Sequence, residues 1–439
     1  MVSPRESDTR PEGAGVITLI EALQFRALRY VRQPLHRFHV LVGPNATGKT
    51  TFLDVLPFLS QMMTDGPLAA VRARSDTLDD LLFGRDGNQF QLAIEAAIPA
   101  DKRSLLPASE RQFDRVRYEV KIGLSGGNGH VGILGEKALL RQSADQLAMP
   151  EDFGESFPRT IVPPATIYTA KNPGNTKMIL HKDPGGSDNF YAETAADRAG
   201  GWLPSFRFGP NKSALANVPD DGSRFPVSTW LRDFLANDVH KLVLNSMAIR
   251  KASPPGQGAG FRPDGSNLPW VIAELRRENA GLFRQWVEHV RTALPEIRDI
   301  DTIERPDDKH LYLVVRYQDE LTVPSWMVSD GTLRLLALTL PAYLPNLRGA
   351  FLIEEPENGI HPRAIETVIQ SLSSIYHAQV LLATHSSVIL SAVDLEDILC
   401  FSKDDHGSTD IVAGPEHPAL RDWKGEANLG LLFAAGVLG

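Results

Sequence analysis

Apolar and polar positions divide the chain into stretches of different period. Ile17, Leu19, Ala22, Leu23, Phe25 and Leu28 alternate with polar residues, and Phe38, Val40, Leu41 and Val42 run straight into glycine. The pattern predicts a strand, a turn, a second strand and a buried third strand that ends at a glycine-rich loop. From Thr51 to Met63 the apolar residues Phe52, Leu53, Val55, Leu56, Phe58 and Leu59 recur at helical spacing, so a helix is expected despite Pro57. Period-two alternation returns over Asn88–Ile98 and Arg115–Leu124, as in antiparallel strands with one wet face, and predicts a side sheet.

The middle of the chain reads differently. Ten prolines between Pro150 and Pro226, with the pairs Gly185-Gly186 and Gly200-Gly201, exclude a long continuous helix and hence a long coiled-coil arm. Two helical stretches follow, Val227–Ile249 and Leu268–Leu294, the second broken or bent at Gly281. Between them Ala252–Asn267 is rich in Gly, Pro and Ser and is expected to be a mobile loop. Alternation resumes at Leu311, Leu313, Val315 and Tyr317, and α/β patterning continues to the end.

Composition narrows the class. A chain of 439 residues that is 42% hydrophobic and 23% charged can bury one large core or two to three smaller ones, which excludes wholesale disorder. With 45 Lys+Arg against 54 Asp+Glu the net charge is −9, so the protein lacks the basic footprint of a nucleic-acid coat, while a local basic groove stays compatible. DNA binding is therefore possible but not indicated by charge. A single cysteine, Cys400, excludes an internal disulfide and fits a reducing, cytoplasmic setting. The polar stretch Met1–Gly15 reads as a disordered tail without a signal peptide's apolar segment, and no run reaches the ~18 apolar residues of a membrane span.

Four motifs carry chemistry. Gly43-Pro44-Asn45-Ala46-Thr47-Gly48-Lys49-Thr50 matches G-x-x-x-x-G-K-[ST] between an apolar strand and a helix. Its glycines let backbone N–H groups wrap phosphates, Lys49 reaches the β- and γ-phosphates, and the Thr50 hydroxyl can ligate Mg²⁺. Next, Val328-Ser329-Asp330-Gly331-Thr332 opens a helix, either as an anion site or as an ordinary N-cap. The apolar run Ala350–Ile353 then ends in Glu354-Glu355-Pro356, where one acid can face Mg²⁺ and the next can orient or deprotonate a water. Finally Val380–Ala383 ends in Thr384-His385-Ser386, which brings an imidazole to the same sheet edge. Asp404-Asp405 reads as a turn between strands.

Taken in this order, the motifs resemble Walker A, signature, Walker B and switch histidine of ABC-type ATPase heads. Ser-Asp-Gly-Thr-Leu-Arg with Ile-Glu-Glu-Pro-Glu-Asn-Gly-Ile-His-Pro is similar to the stand-alone prokaryotic AAA_21, OLD-like and SMC-like group. The resemblance implies an α/β fold, an ABC-type P-loop ATPase head with an antiparallel β side sheet and a mixed, largely helical inserted domain. It divides the chain into the tail (1–15), a first part of the head (16–135), an insertion (136–310) and a second part of the head (311–439).

The resemblance also implies roles. ATP and Mg²⁺ would be held by Gly43, Asn45, Gly48, Lys49, Thr50 and Thr51, with Glu354 on the magnesium side, Glu355 as catalytic carboxylate and His385 as γ-phosphate sensor. Two copies, or a higher even oligomer, would pair head to tail, so that Ser329 and Gly331 act on the partner's nucleotide. Arg26, in Gln24-Phe25-Arg26, matches a place where relatives contact nucleotide. Gln89 and Gln91 both remain open as the Q-loop glutamine. Glu354 stands where ABC heads usually carry Asp, and Asp330 and Thr332 replace the usual second Gly and Gln of the signature, which suggests slow, switch-like hydrolysis. Proteins of this group often serve as the sensor or scaffold half of a two-component anti-phage defence or toxin-antitoxin-like system. The chain after His385 is too short for a fused nuclease domain, so a Toprim-like nuclease effector would be a separate protein. The competing readings are an SMC-like genome-maintenance ATPase that binds DNA directly and, disfavoured by the lack of a membrane segment, a transporter motor. The apolar stretch Leu429–Leu438 is either a docking surface or simple packing.

Overall fold

The alternating start of the chain forms β1 (Ile17–Phe25) and β2 (Leu28–Pro34), an antiparallel pair whose tight turn holds Gln24 and Arg26 at positive φ. In this computed structural model the described residues are 17–125, 129–143, 156–170, 175–183, 185–194, 205–258, 260–420 and 429–436. The expected tail, Gly200-Gly201 and the last residues of the apolar stretch lie outside them. β3 (Phe38–Val42) is buried along its whole length and leads into the glycine loop. The expected single helix is two, α1 (Lys49–Leu53) and α2 (Val55–Asp65), which meet at Asp54. The break puts Pro57 in the first turn of α2, where a missing N–H costs little. α3 (Pro67–Arg72) follows.

β4 (Gln89–Ala97) and β5 (Arg115–Ser125) form as predicted, joined through α4 (Ala100–Ser104). With β6 (His130–Arg141), β7 (Thr176–Lys182), β8 (Asp188–Phe190) and β9 (Ser205–Phe206) they complete an eight-stranded antiparallel sheet in the order β2-β1-β4-β5-β6-β7-β8-β9. The expectation of a wet face fails. One face packs Phe25, Phe58 and Phe90, with centroids 4.9–5.8 Å apart. The other buries Arg117 against Glu21 (2.6 Å), Glu119 (2.6 Å) and Glu95 (3.3 Å). Residues 164–169 strap this charged face, with Ile167 N donating to Gln91 Oε1 (3.1 Å) and Thr169 N to Glu119 Oε2 (2.8 Å).

The stretch expected as one helix over Val227–Ile249 is α5 (Pro226–Asn237), β10 (Val239–Leu242) and α6 (Ser246–Ile249). Strand replaces helix because the open edge of the central sheet takes Val239–Leu242 as a parallel neighbour. α7 (Leu268–Glu278) and α8 (Ala280–Ala293) part at Asn279, whose side chain accepts from Leu282 N, so the break is an N-cap two residues before Gly281. The loop expected to be mobile is tied down by a backbone bridge from Ser253 to Leu311 and by Asn267 Nδ2 donating to Gly258 O and Gly260 O. β11 (Ile297–Glu304), β12 (Leu311–Tyr317) and β13 (Thr322–Pro324) make a small antiparallel sheet.

The remaining elements are α9 (Asp330–Thr339), β14 (Ala350–Glu354), α10 (Pro362–Ser373), β15 (Gln379–Ala383), α11 (Ser387–Leu390), β16 (Ile398–Lys403), β17 (Thr409–Ala413) and α12 (Leu429–Ala434). Asp404 Oδ1 accepts from His406 N and Ser408 N, which makes the β16–β17 turn that Asp404-Asp405 predicted. A six-stranded sheet runs β10-β14-β15-β3-β16-β17, parallel except for β17. Leu41 of β3 faces a core with α2 and α5, while Val40 and Val42 face another with α7–α10. Leu429 joins that second core and Leu431 is exposed, so the stretch packs at its start. The boundary at 135/136 falls inside β6, and the stretch taken as an insertion contributes β7, β8 and β9 to one sheet and β10 to the other.

Candidate active site

Parallel strands deliver their C-terminal ends to one edge, and chemistry collects there. The loop after β3 is shaped by two glycines at positive φ, Gly43 (146°) and Gly48 (100°). A Cβ on Gly43 would lie 2.2 Å from Phe401 O, and one on Gly48 would lie 2.2 Å from Thr409 Oγ1, so the β16–β17 hairpin backs the loop too closely for any side chain. Thr409 Oγ1 also donates to Thr47 O at 2.8 Å. Asn45 is exposed at the tip and Thr51 is buried on α1. Lys49 is buried, and its Nζ donates to Gly43 O (2.7 Å) and Pro44 O (2.8 Å). Burial pulls its pKa down to about 8, against the opposing pull of the Glu355 carboxylate.

The acids at and after the end of β14 gather at the same edge, and one of them touches the loop. Thr50 Oγ1 donates to Glu354 Oε2 at 3.0 Å, and Lys241 of β10 stands 2.8 Å from Glu354 Oε1. Glu355 adopts a positive φ of 48°, its N–H donating to Ala383 O at the end of β15 (2.8 Å) and its Oε2 accepting from Asn358 Nδ2 (2.5 Å). Such a backbone is strained for a non-glycine residue and turns Glu355 out of the strand. Glu357 Oε1 accepts from Thr384 Oγ1 (2.6 Å) and His385 N (3.3 Å), latching the β14 turn to the histidine turn. His385 titrates below its ordinary value, because burial and Lys49 outweigh Glu355 and Glu357.

The other candidates sit apart from this group. Ser329 caps α9, its Oγ accepting from Thr332 N (3.2 Å) and pairing with Thr332 Oγ1 (2.8 Å). Gly331 packs on the turn after Glu355, where an added Cβ would lie 2.8 Å from Gly359 O. Among the described residues no hydrogen bond or ion pair joins Ser329 or Gly331 to Gly43–Thr50. Asp330 is held by Arg250, with Nη2 at 2.5 Å. Arg26 Nη1 reaches Asp54 Oδ2 at 3.4 Å, beyond the loop, and Asp54 is gripped by Arg74 through two bonds of 2.7 Å. Gln91 is consumed by the strap, where its Oε1 also accepts from Thr166 Oγ1.

The sequence model of AAA_21, described as an AAA domain, putative AbiEii toxin, Type IV TA system, matches residues 38–142 and 187–391, more than half of the chain. The chain belongs to the AAA_21 family. The fold of this AAA_21 protein is that of an ABC-type P-loop ATPase head. It is similar to an SMC head bound to the C-terminal winged-helix domain of ScpA (TM-score 0.52, 14% identity, 90% of this chain and 97% of that one). It is also similar to a Pyrococcus furiosus SMC head with an extended coiled coil bound to the C-terminal domain of ScpA (TM-score 0.50, 13% identity, 91% and 96%). No curated protein matches the sequence.

The AAA_21 head thus brings together Lys49, Thr50, Glu354, Glu355 and His385. Sequence reasoning missed Lys241 and Glu357. Glu357 stands within the quoted strand-end run, where its spacing from Glu355 was the available signal; Lys241 was hidden in a segment read as helix. The Thr50 hydroxyl and the Glu354 carboxylate, whose buried Oε1 is paired with the Lys241 ammonium and takes no hydrogen bond among the described residues, are oxygen donors of the kind a hard divalent cation takes. Among the described residues no helix is long and apolar enough to cross a membrane.

Proposed function

We propose that this ATPase binds and hydrolyses ATP in a head-to-tail pair with two shared sites, and that it is the sensor or scaffold half of a two-component anti-phage or toxin-antitoxin-like system with a separate nuclease effector of Toprim-like fold. The observation that carries the catalytic part is the convergence of Lys49, Thr50, Glu354, Glu355 and His385 at one sheet edge. Lys49 and the loop N–H groups bind the phosphates. Thr50 and Glu354 would hold Mg²⁺, which neutralises charge on the phosphate oxygens when bound. Glu355, turned out of its strand and oriented by Asn358, accepts a proton from the attacking water. His385, held neutral by its surroundings and positioned by Glu357, offers a hydrogen bond toward the γ-phosphate.

Pairing is supported by the exposed start of α9, where Ser329 adjoins Trp326 (47% exposed) and Met327 (70%), an apolar margin suited to a second copy. The defence reading is supported by the family description, which names a putative AbiEii toxin and a Type IV TA system; a separate protein partner is in keeping with similar SMC heads having been solved bound to domains of ScpA. The test is complementation in mixed dimers. Lys49→Ala and Ser329→Arg subunits, each inactive alone, recover about one working site per dimer when mixed. No recovery at any mixing ratio overturns the shared-site arrangement. The effector is sought as the protein that co-purifies with the native chain; a salt-dependent DNA complex in its place favours the genome-maintenance reading.

A further inference from the structure

We propose that Lys241 is an internal competitor for the divalent cation: its ammonium pairs with Glu354 and thereby sets the metal concentration that the site requires. The inference rests on the ATPase reading above and extends it to how that site is regulated.

The register of β10 makes the placement. Lys241 pairs with Leu352 and Leu242 with Ile353. Partnered residues of adjacent strands point to the same face, and residues two apart on one strand share a face. Lys241, Leu352 and Glu354 therefore project together, which carries the lysine stem along β14 to the carboxylate. The result is an N–O separation of 2.8 Å to Glu354 Oε1, while Oε2 faces the Thr50 hydroxyl.

The contact is charge pairing without hydrogen-bond alignment, for Glu354 Oε1 is shut off from solvent and takes no hydrogen bond among the described residues. An oxygen so placed gains from a cation that can approach it directly. The Lys241 side chain is 44% exposed, so withdrawing it from Glu354 costs little, whereas Lys49 is buried and committed to the loop. Two lysines thus flank the site in different roles: one fixed for phosphate, one exchangeable against metal. While Lys241 is paired, Glu354 is neutralised and attracts a second cation weakly; a divalent ion pays for its entry by repelling or displacing the ammonium.

The experiment measures Mn²⁺ binding to the full-length protein by electron paramagnetic resonance, in the presence of a saturating non-hydrolysable ATP analogue. Lys241→Met is expected to bind Mn²⁺ on the order of tenfold more tightly than wild type, and Lys241→Arg to stay close to wild type. In a Glu354→Gln background, Lys241→Met is expected to bring no further gain. Unchanged or weaker Mn²⁺ binding by Lys241→Met, or an equal gain without the Glu354 carboxylate, overturns the inference. If wild type itself binds no nucleotide, the ATPase reading falls; if it binds normally and Lys241→Met matches it, only the inference falls.

Discussion

The carboxylates of the eight-stranded sheet and those of the six-stranded sheet are treated in opposite ways. In the first, Glu136 accepts from Tyr118 Oη (2.8 Å), Ser213 Oγ (2.7 Å), Ala214 N (2.7 Å) and Leu215 N (2.9 Å). Just past the end of β8, Glu193 takes Val227 N, Ser228 N and the Ser228 hydroxyl at the start of α5, although burial still pushes its carboxyl up to about 7. Glu21, Glu95 and Glu119 share Arg117. At the end of β14 in the second sheet, Glu354 Oε1 has only the half-exposed Lys241 ammonium (2.8 Å), and in the turn that follows Glu357 Oε2 is a buried oxygen with no hydrogen bond among the described residues. Acids supplied with every donor are building material. Acids held at one oxygen by an exchangeable partner, or by none, can take up a cation, which is what chemistry needs.

The contrast can be broken from either side. Lys49→Ala removes the cation proposed to bind phosphate, and ATP binding and turnover are expected to fall below detection; unchanged hydrolysis sinks the phosphate-loop assignment. Glu355→Gln keeps the shape and removes the proposed base, so ATP is expected to stay bound, a stable dimer to accumulate in size-exclusion chromatography, and hydrolysis to fall by roughly 10²–10⁴-fold. Wild-type turnover would place the base elsewhere. Arg117→Met removes the guanidinium shared by buried Glu21, Glu95 and Glu119, leaving Glu95 only Arg141 (2.9 Å), and is expected to cost about 3–5 kcal/mol in denaturant unfolding. If it instead leaves stability intact and abolishes hydrolysis, the side-sheet acids are not structural.

A smaller effect concerns pH. Lys49 in the nucleotide-free chain loses its proton near pH 8. Below that value it is already charged and binding takes up no proton. Above it, phosphate draws the proton back, so nucleotide affinity should fall by up to about tenfold per pH unit as pH rises. Calorimetry in buffers of different ionisation enthalpy reads the uptake directly, and flat affinity from pH 7 to 9.5 contradicts it.

Much of this arrangement was legible in the sequence where a local pattern and a motif coincide. β1 to β5, the loop after β3 and the acids ending β14 each combine a clear period with residues whose chemistry allows few uses. β10 was not legible, because four residues between two helices fit either period, and only the unpaired edge of β14 decides between them. Lys241 was lost with it, since nothing local links it to a glutamate more than a hundred positions later. The two buried faces of β4 escaped for a related reason: its polar side chains read as solvent-facing, while Arg117 and the strap of residues 164–169 satisfy them inside. The break before α8 was misplaced because glycine is the more obvious interrupter than an asparagine cap.

The hairpin that backs the phosphate loop bears on how the protein is made. Gly43 and Gly48 rest against Phe401 and Thr409, which leave the ribosome some 360 residues after them, a lag of tens of seconds at ordinary rates of translation. Until that segment emerges, the loop lacks the wall that holds its shape, and β3 lacks its parallel neighbours β15 and β16. A growing chain therefore cannot assemble the nucleotide cradle early. Competence for ATP arrives late in synthesis, and a ribosome stalled before β17 yields a product without it.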